Sequence, residues 1–312
     1  MDNGDMHQKA KKKILVTGGS GFIGRHLSVL LADRGHEVHV PCRRPETYRQ
    51  CDPRLRLEAL DLFDEGAVKA LLQRERFDTC VHLAWYCGPG CHGNPQNAGW
   101  VAQSIRLLEA FAAAGGKRFV GGGSVAEYDY RYGYLREDTP TEGPSIYGQC
   151  KAAFGRVANA FCRTAGVGFA WARIFNLYGP WERPARLMPS VVRSMLRGED
   201  VRVSPCTKIV DYSHVFDTSE ALARLAEGGA EGAFNLCSGE PVRLRRIVEM
   251  AAEKTGFKGN ILWGALPAAF EEEFVVGDNG RLEEATGWRP RWGLDEGLDQ
   301  TIAWHRENPD YV

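Results

Sequence analysis

Apolar runs of strand length alternate with amphipathic stretches along the first half of the chain. Ile14-Leu15-Val16 predicts a buried strand, and in residues 22–34 the positions Ile23, Leu27, Leu30 and Leu31 recur at helical spacing. Residues 36–40, 55–60, 79–84 and 118–121 predict four further strands, with helices over 67–72 and 100–114 between them. Repeated strand-helix alternation folds as an α/β protein, a doubly wound parallel sheet with helices on both faces. Beyond Asn176 the rhythm breaks. Pro180, Pro184, Pro189, Pro205, Pro241 and Pro267 mark irregular connections, and helices are expected over 183–197, 245–254 and 294–304. The expected organisation is a poorly ordered tail (1–13) and a sheet domain (14–176, with 207–237 returning to it through 232–236). A smaller, discontinuous subdomain is expected from 177–206 and 238–312.

The first strand breaks into Thr17-Gly18-Gly19-Ser20-Gly21-Phe22-Ile23-Gly24 before the first helix. Glycine at 18 or 19 permits the sharp turn, Gly21 lets the backbone approach a pyrophosphate, and Gly24 lets the helix pack close to the strand. The helix start then offers unpaired N–H groups to phosphate charge. This strand, turn and helix is the dinucleotide-binding unit of a Rossmann sheet. In such units an acid about 20 residues past the glycines holds the adenosine ribose. Cys42 stands there instead, followed by Arg43-Arg44, whose guanidinium groups suit a 2′-phosphate, so NADP(H) is favoured over NAD(H).

Composition narrows the class without naming a chemistry. The chain has 312 residues, 44% of them hydrophobic, and a formal charge of −1 with acids and bases interspersed. No nucleic-acid or membrane partner is indicated, and no leader or ~20-residue apolar run is read, so the expected compartment is the cytoplasm. The nine cysteines follow no repeating spacing. Cys87, Cys91 and His92, with His82 upstream, lack the paired second half of a zinc site, and no metal is expected.

Two further stretches carry chemistry. Ser124 ends the fifth strand, on the side where open α/β sheets bind ligands. Pro144-Ser145 predicts a helix start, and on that helix Tyr147 and Lys151, four apart, share a face. A phenol with pKa about 10 needs a nearby positive charge to ionise at neutral pH, and Lys151 supplies one.

These residues together resemble the extended short-chain dehydrogenase/reductase family of nucleotide-sugar epimerases, dehydratases and ketoreductases, over nearly the whole chain. By that resemblance Ser124, Tyr147 and Lys151 are the catalytic serine, tyrosine and lysine, and Gly18, Gly21, Phe22, Ile23 and Gly24 form the cofactor loop. Asp61-Leu62 is similar to an adenine-contacting pair, and His82-Leu83-Ala84 to the motif after the fourth strand. Asn176, in Arg173-Ile174-Phe175-Asn176-Leu177-Tyr178-Gly179-Pro180, matches a substrate-contacting asparagine, and His214 lies in a segment resembling the nucleotide end of the substrate site. A homodimer through the helices over 100–114 and 145–165 is implied. Trp100 stands where many members carry asparagine, and Val210 where an arginine often precedes the aspartate. Arg183, Arg186 and Arg243 are alternative diphosphate contacts.

The family's 4,6-dehydratases carry Thr-Asp-Glu where this chain has Ser124-Val125-Ala126, and Glu127 is one residue out of place for elimination. With Arg43-Arg44, this favours an NADPH-dependent 4-ketoreductase of a nucleotide-linked 4-keto-6-deoxyhexose, with Trp85 and Tyr86 suited to stacking on the sugar. The alternatives are an epimerase with retained NAD(P), and a non-catalytic NADP-binding regulator, whose mark would be loss of Tyr147 or Lys151.

Overall fold

Ile14 and Val16 point to one side of the central sheet and Leu15 to the other, and that period of two organises the layers around it. The computed structural model describes residues 11–48, 51–268 and 272–311. Seven parallel strands, β1 (Lys13–Thr17), β2 (Glu37–Cys42), β3 (Arg56–Ala59), β4 (Thr79–His82), β5 (Arg118–Ser124), β6 (Gly168–Ile174) and β7 (Gly232–Leu236), lie in the order β7-β6-β5-β4-β1-β2-β3. Helices α1 (Phe22–Asp33) and α6 (Val215–Glu227) cover the Ile14 and Val16 face. Helices α2 (Glu65–Glu75), α3 (Gln96–Ala113) and α4 (Ile146–Ala165) cover the Leu15 face. The strand order reverses direction between β1 and β4, which opens a crevice beyond their carboxyl ends.

A second sheet is built around Ile209–His214. That strand pairs antiparallel with Pro241–Arg243 and parallel with Phe274–Gly277 and Asn176–Tyr178, and Tyr134–Leu135 extends the sheet beyond Phe274–Gly277. Helices α5 (Leu187–Leu196), α7 (Leu244–Thr255) and α9 (Leu294–Glu307) share a separate core of Met188, Val191, Ile247, Leu298 and Ile302. A short helix, α8 (Gly280–Thr286), lies between Phe274–Gly277 and α9.

Several boundaries differ from the sequence expectation. Helix α3 starts at Gln96, earlier than the apolar period from 100 onward shows, because Asn97 in its first turn is buried by hydrogen bonds and not by apolarity. Of the tail, residues 1–10 lie outside the described residues. Lys12 and Lys13 belong to the fold: Lys12 Nζ donates to the carbonyls of Ala226 and Glu227, and Lys13 opens β1. Segment 207–237 does not return as one piece, since 209–214 joins the second sheet and only 232–236 joins the first. Leu282 of α8, and Trp288 after it, pack in the core with Ile14 and Leu27, so the C-terminal segment is shared between the two units.

Candidate active site

The start of α1, the ends of β2, β3 and β5, and the first turn of α4 converge at the crevice. Helix α1 begins directly after the glycine turn, Gly21 offers no side-chain cap, and the first turn carries no acidic residue, so its free N–H groups face no competing negative charge. Gly18 has φ +73°, and a Cβ there would lie 2.8 Å from Ala84 N. A Cβ at Gly24 would collide with the Gly18 carbonyl oxygen. Both glycines are therefore required sterically, and the turn retains the cradle that a pyrophosphate needs. Phe22, Ile23, Leu83 and Ala84 are half-buried around it, with Leu83 N donating to Thr17 O at 3.0 Å.

The adenosine side of the crevice is bordered by the ends of β2 and β3. Arg43 and Arg44 are both exposed just past Cys42, with no carboxylate in the position after β2. Asp61 is exposed and accepts from Phe63 N at 3.0 Å, and the Leu62 carbonyl accepts from Gln103 Nε2. These residues fit a dinucleotide on chemistry: N–H groups for phosphate and guanidinium groups for a 2′-phosphate.

Ser124, Tyr147 and Lys151 come together from β5 and α4. Ser145 caps α4 by accepting from Gly148 N at 3.1 Å, which starts the helix two residues before the tyrosine. The Ser124 side chain acts on the Tyr147 phenol, lowering its pKa. Lys151 Nζ donates to the Gly122 carbonyl at 2.7 Å and lies 4.0 Å above the Trp85 ring and 5.9 Å from the Tyr147 ring centroid. Burial lowers the Lys151 pKa to about 8, against the charges of Cys87 and Glu127, which raise it. Burial also pushes the Tyr147 phenol well above its ordinary range, and Ser124 opposes this. Burial thus acts on the phenol in the direction opposite to the fall expected from Lys151.

Two sequence candidates are placed differently from expectation. Trp85 is turned inward, its Nε1 donating to Asn97 Oδ1 at 2.7 Å and its ring faced by Lys151 and Trp100, so it walls Lys151 and does not offer a stacking face to a sugar. His214 is 1% exposed, accepts from Phe216 N, contacts Gln300 Oε1 at 3.2 Å and stacks on Trp292. It caps α6 and has no ring atom left for a substrate base. Asn176 spends its Nδ2 on the Asp211 carbonyl at 3.1 Å, tying two strands of the second sheet. Arg183 and Arg186 are exposed, and both charges act on Cys91, with that of Arg186 also lowering the His92 pKa after burial. Arg243 is committed to the Thr207 carbonyl at 2.8 Å.

Other neighbours were not legible. Cys87 Sγ lies 4.0 Å from the Tyr147 hydroxyl, and the His92 ring meets the Tyr147 ring edge-on at 5.2 Å. The Gly- and Cys-rich loop over 85–99 signalled an irregular segment but not which side chains turn inward. Among the described residues the one close group of metal-ligand types is Glu37, His39 and Glu75, away from this loop. Its carboxylates already pair with Lys13, Arg56 and Arg74, so it reads as an ion-pair network. No described helix is long and apolar enough to cross a membrane.

The family model described as the NAD dependent epimerase/dehydratase family matches residues 14–237. The chain is 26% identical over 307 residues to the UDP-glucose 4-epimerase of Corynebacterium glutamicum, covering 89% of this chain and 91% of that protein. It is 26% identical over 275 residues to the dTDP-6-deoxy-L-talose 4-dehydrogenase (NAD(+)) of Aggregatibacter actinomycetemcomitans, covering 84% of this chain and 98% of the other. Among solved structures, MoeE5 in complex with UDP-glucuronic acid and NAD superposes with a TM-score of 0.83 at 30% identity, covering 95% of this chain and 99% of MoeE5.

Proposed function

This chain belongs to the NAD-dependent epimerase/dehydratase family, within the extended short-chain dehydrogenases/reductases, and on that premise we propose that it is an NADPH-dependent 4-ketoreductase of a nucleotide-linked 4-keto-6-deoxyhexose. The observation that carries this reading is the end of β2, where Cys42 replaces the ribose-binding acid and Arg43 and Arg44 stand exposed beside it. A bound nicotinamide supplies hydride. The chain's own residues do the rest. Ser124 Oγ hydrogen-bonds the substrate oxygen, and the protonated Tyr147 hydroxyl donates to that oxygen as charge builds on it. Lys151 places a cation behind the phenol and steadies the Gly122 carbonyl. A phenol held protonated suits reduction, where the oxygen must gain a proton. Val125 and Ala126 offer no acid or base for eliminating water. Arg183 and Arg186 are the substrate's diphosphate contacts in this reading, and α3 and α4 form a homodimer face.

A second reading, an epimerase that retains its cofactor, draws support from Arg25. Its guanidinium lies 3.8 Å from the Trp181 ring and 4.5 Å from the Tyr48 ring, a clamp between α1 and the loop after Pro180. Trp181 holds φ +68°, a strained conformation for an aromatic residue. Spectrophotometry separates the two. A reductase oxidises free NADPH when given an NDP-4-keto-6-deoxyhexose, and Arg43→Ala with Arg44→Ala raises KM for NADPH but not for NADH. If no such ketone accelerates NADPH oxidation while an NDP-hexose is epimerised without added cofactor, the second reading replaces the first.

A further inference from the structure

Glu127 is fully buried one turn from the reacting serine, at 0% exposure, and the mechanism above leaves it without a task. Its Oε1 accepts from Ser124 N at 2.7 Å and from Trp171 Nε1 at 3.1 Å, and its Oε2 accepts from Trp171 Nε1 at 3.0 Å and Arg173 Nε at 3.1 Å. Ser124 and Glu127 form a reciprocal capping box around a single 3-10 turn (Val125–Glu127), in which Ser124 Oγ accepts from Ala126 N at 3.2 Å. The same strand end is also held by Lys151 Nζ, which donates to the Gly122 carbonyl at 2.7 Å. Lys151 and Glu127 thus hold the two ends of the step from Gly122 to Ser124. Gly123 between them has no room for a side chain, since a Cβ would lie 2.6 Å from Glu127 Oε1 and 2.7 Å from Trp171 Nε1.

The carboxylate is itself anchored. Arg173 Nη1 donates to Tyr128 Oη at 2.7 Å and to the Glu137 carbonyl at 2.9 Å, and Tyr128 Oη donates to Asn235 Oδ1 at 2.6 Å. Asn235 in turn donates to the Leu135 and Asp278 carbonyls, which belong to or border the second sheet. A continuous hydrogen-bond network therefore runs from the serine turn to the unit that would carry the substrate.

We propose that Glu127 is a positioning residue for the carbonyl chemistry: its carboxylate, by holding the Ser124 amide, fixes the turn that aims Ser124 Oγ. Glu127 moves no proton, because its contact is to the Ser124 backbone and not to Oγ. The inference rests on the assignment of Ser124 to the reacting oxygen. The charged group facing the carboxylate is Arg173, whose Nε lies 3.1 Å from Oε2.

Glu127→Gln is the decisive variant, because it fills the same volume but sets an amide NH₂ against the donors at one of the two carboxylate oxygens. Glu127→Val removes the contacts altogether, and thermal melting checks that each variant is folded. In both, the Ser124 amide, read by hydrogen–deuterium exchange of cofactor-bound protein, loses protection. Turnover of the nucleotide-sugar ketone falls ~10-fold in Gln and ~100-fold in Val, with KM within about twofold, the scale of a misplacement near 1 Å. Unchanged Ser124 protection overturns the inference whatever the substrate, and so does wild-type turnover in both variants. A wild-type protein that reduces no nucleotide-linked ketone, yet loses protection in the variants, counts against the proposed function and not against the Glu127 contact.

Discussion

At the scale of single residues, buried charge is tolerated here where it organises backbone. Glu127 and Asp211 each accept from backbone N–H groups, Asp211 from Ser238 N at 2.7 Å and Gly239 N at 2.8 Å. Glu182 is the contrasting case. It is 2% exposed, its Oε2 has no hydrogen-bond partner, and Arg186 Nε stands 3.8 Å from Oε1. Burial pushes its pKa up to about 8, while Arg186 opposes the shift and Tyr212 and Tyr311 lie close by. A carboxyl whose folded pKa is raised contributes its stability fully below the unfolded value of 4.5 and loses it as pH rises through about 8. Glu182→Gln is thus expected to leave the melting temperature almost unchanged near pH ~5 and to raise it above pH ~8. Scanning calorimetry across that range checks this, and parallel curves for the two proteins would show that Glu182 titrates normally.

At the scale of elements, a helix start places the chemistry. Tyr147 sits in the first turn of α4, so its position depends on how that turn is nucleated, and Ser145 supplies the one side-chain acceptor there. Ser145→Ala should cost about 1 kcal/mol of stability, a fall in Tm of about 2–4 °C, and should lower kcat more than it raises KM. A variant with reduced Tm but wild-type kcat would separate the cap from the catalytic geometry. The sequence carried the elements that have a period: β1 and α1 were legible because Ile14, Val16, Leu27 and Leu31 alternate or recur as their faces demand. Helix α3 lost its first turn in the reading because Asn97 is held by polar contacts, and hydrophobic period is blind to those.

At the scale of the molecule, α3 and α4 pack side by side and leave Val157 46% and Ile146 38% exposed on α4. An apolar side chain left half in water at the middle of an amphipathic helix suits the proposed homodimer face. Val157→Arg is expected to yield a monomer by light scattering at a concentration where the parent chain is a dimer. If both run as the same species, α4 is not the interface.

The sequence by itself determined the sheet domain, the glycine cradle and the residue types of the site. Each rests on local steric or periodic demands: Gly18 on a positive φ, Gly24 on helix-strand contact, and Tyr147 with Lys151 on the helical repeat. Only the tertiary structure decided which polar side chains face the crevice and which are spent inside. His214 and Trp85 looked like ligand contacts and are consumed by Gln300, Trp292, Asn97 and Lys151, whereas Glu127, one position out of register for catalysis, reaches the serine turn. The partners that make these choices lie 12 to 86 positions away along the chain, apart from the three-residue step of Glu127 to Ser124. That distant pairing exists only once the strands are ordered, and a local pattern cannot encode it.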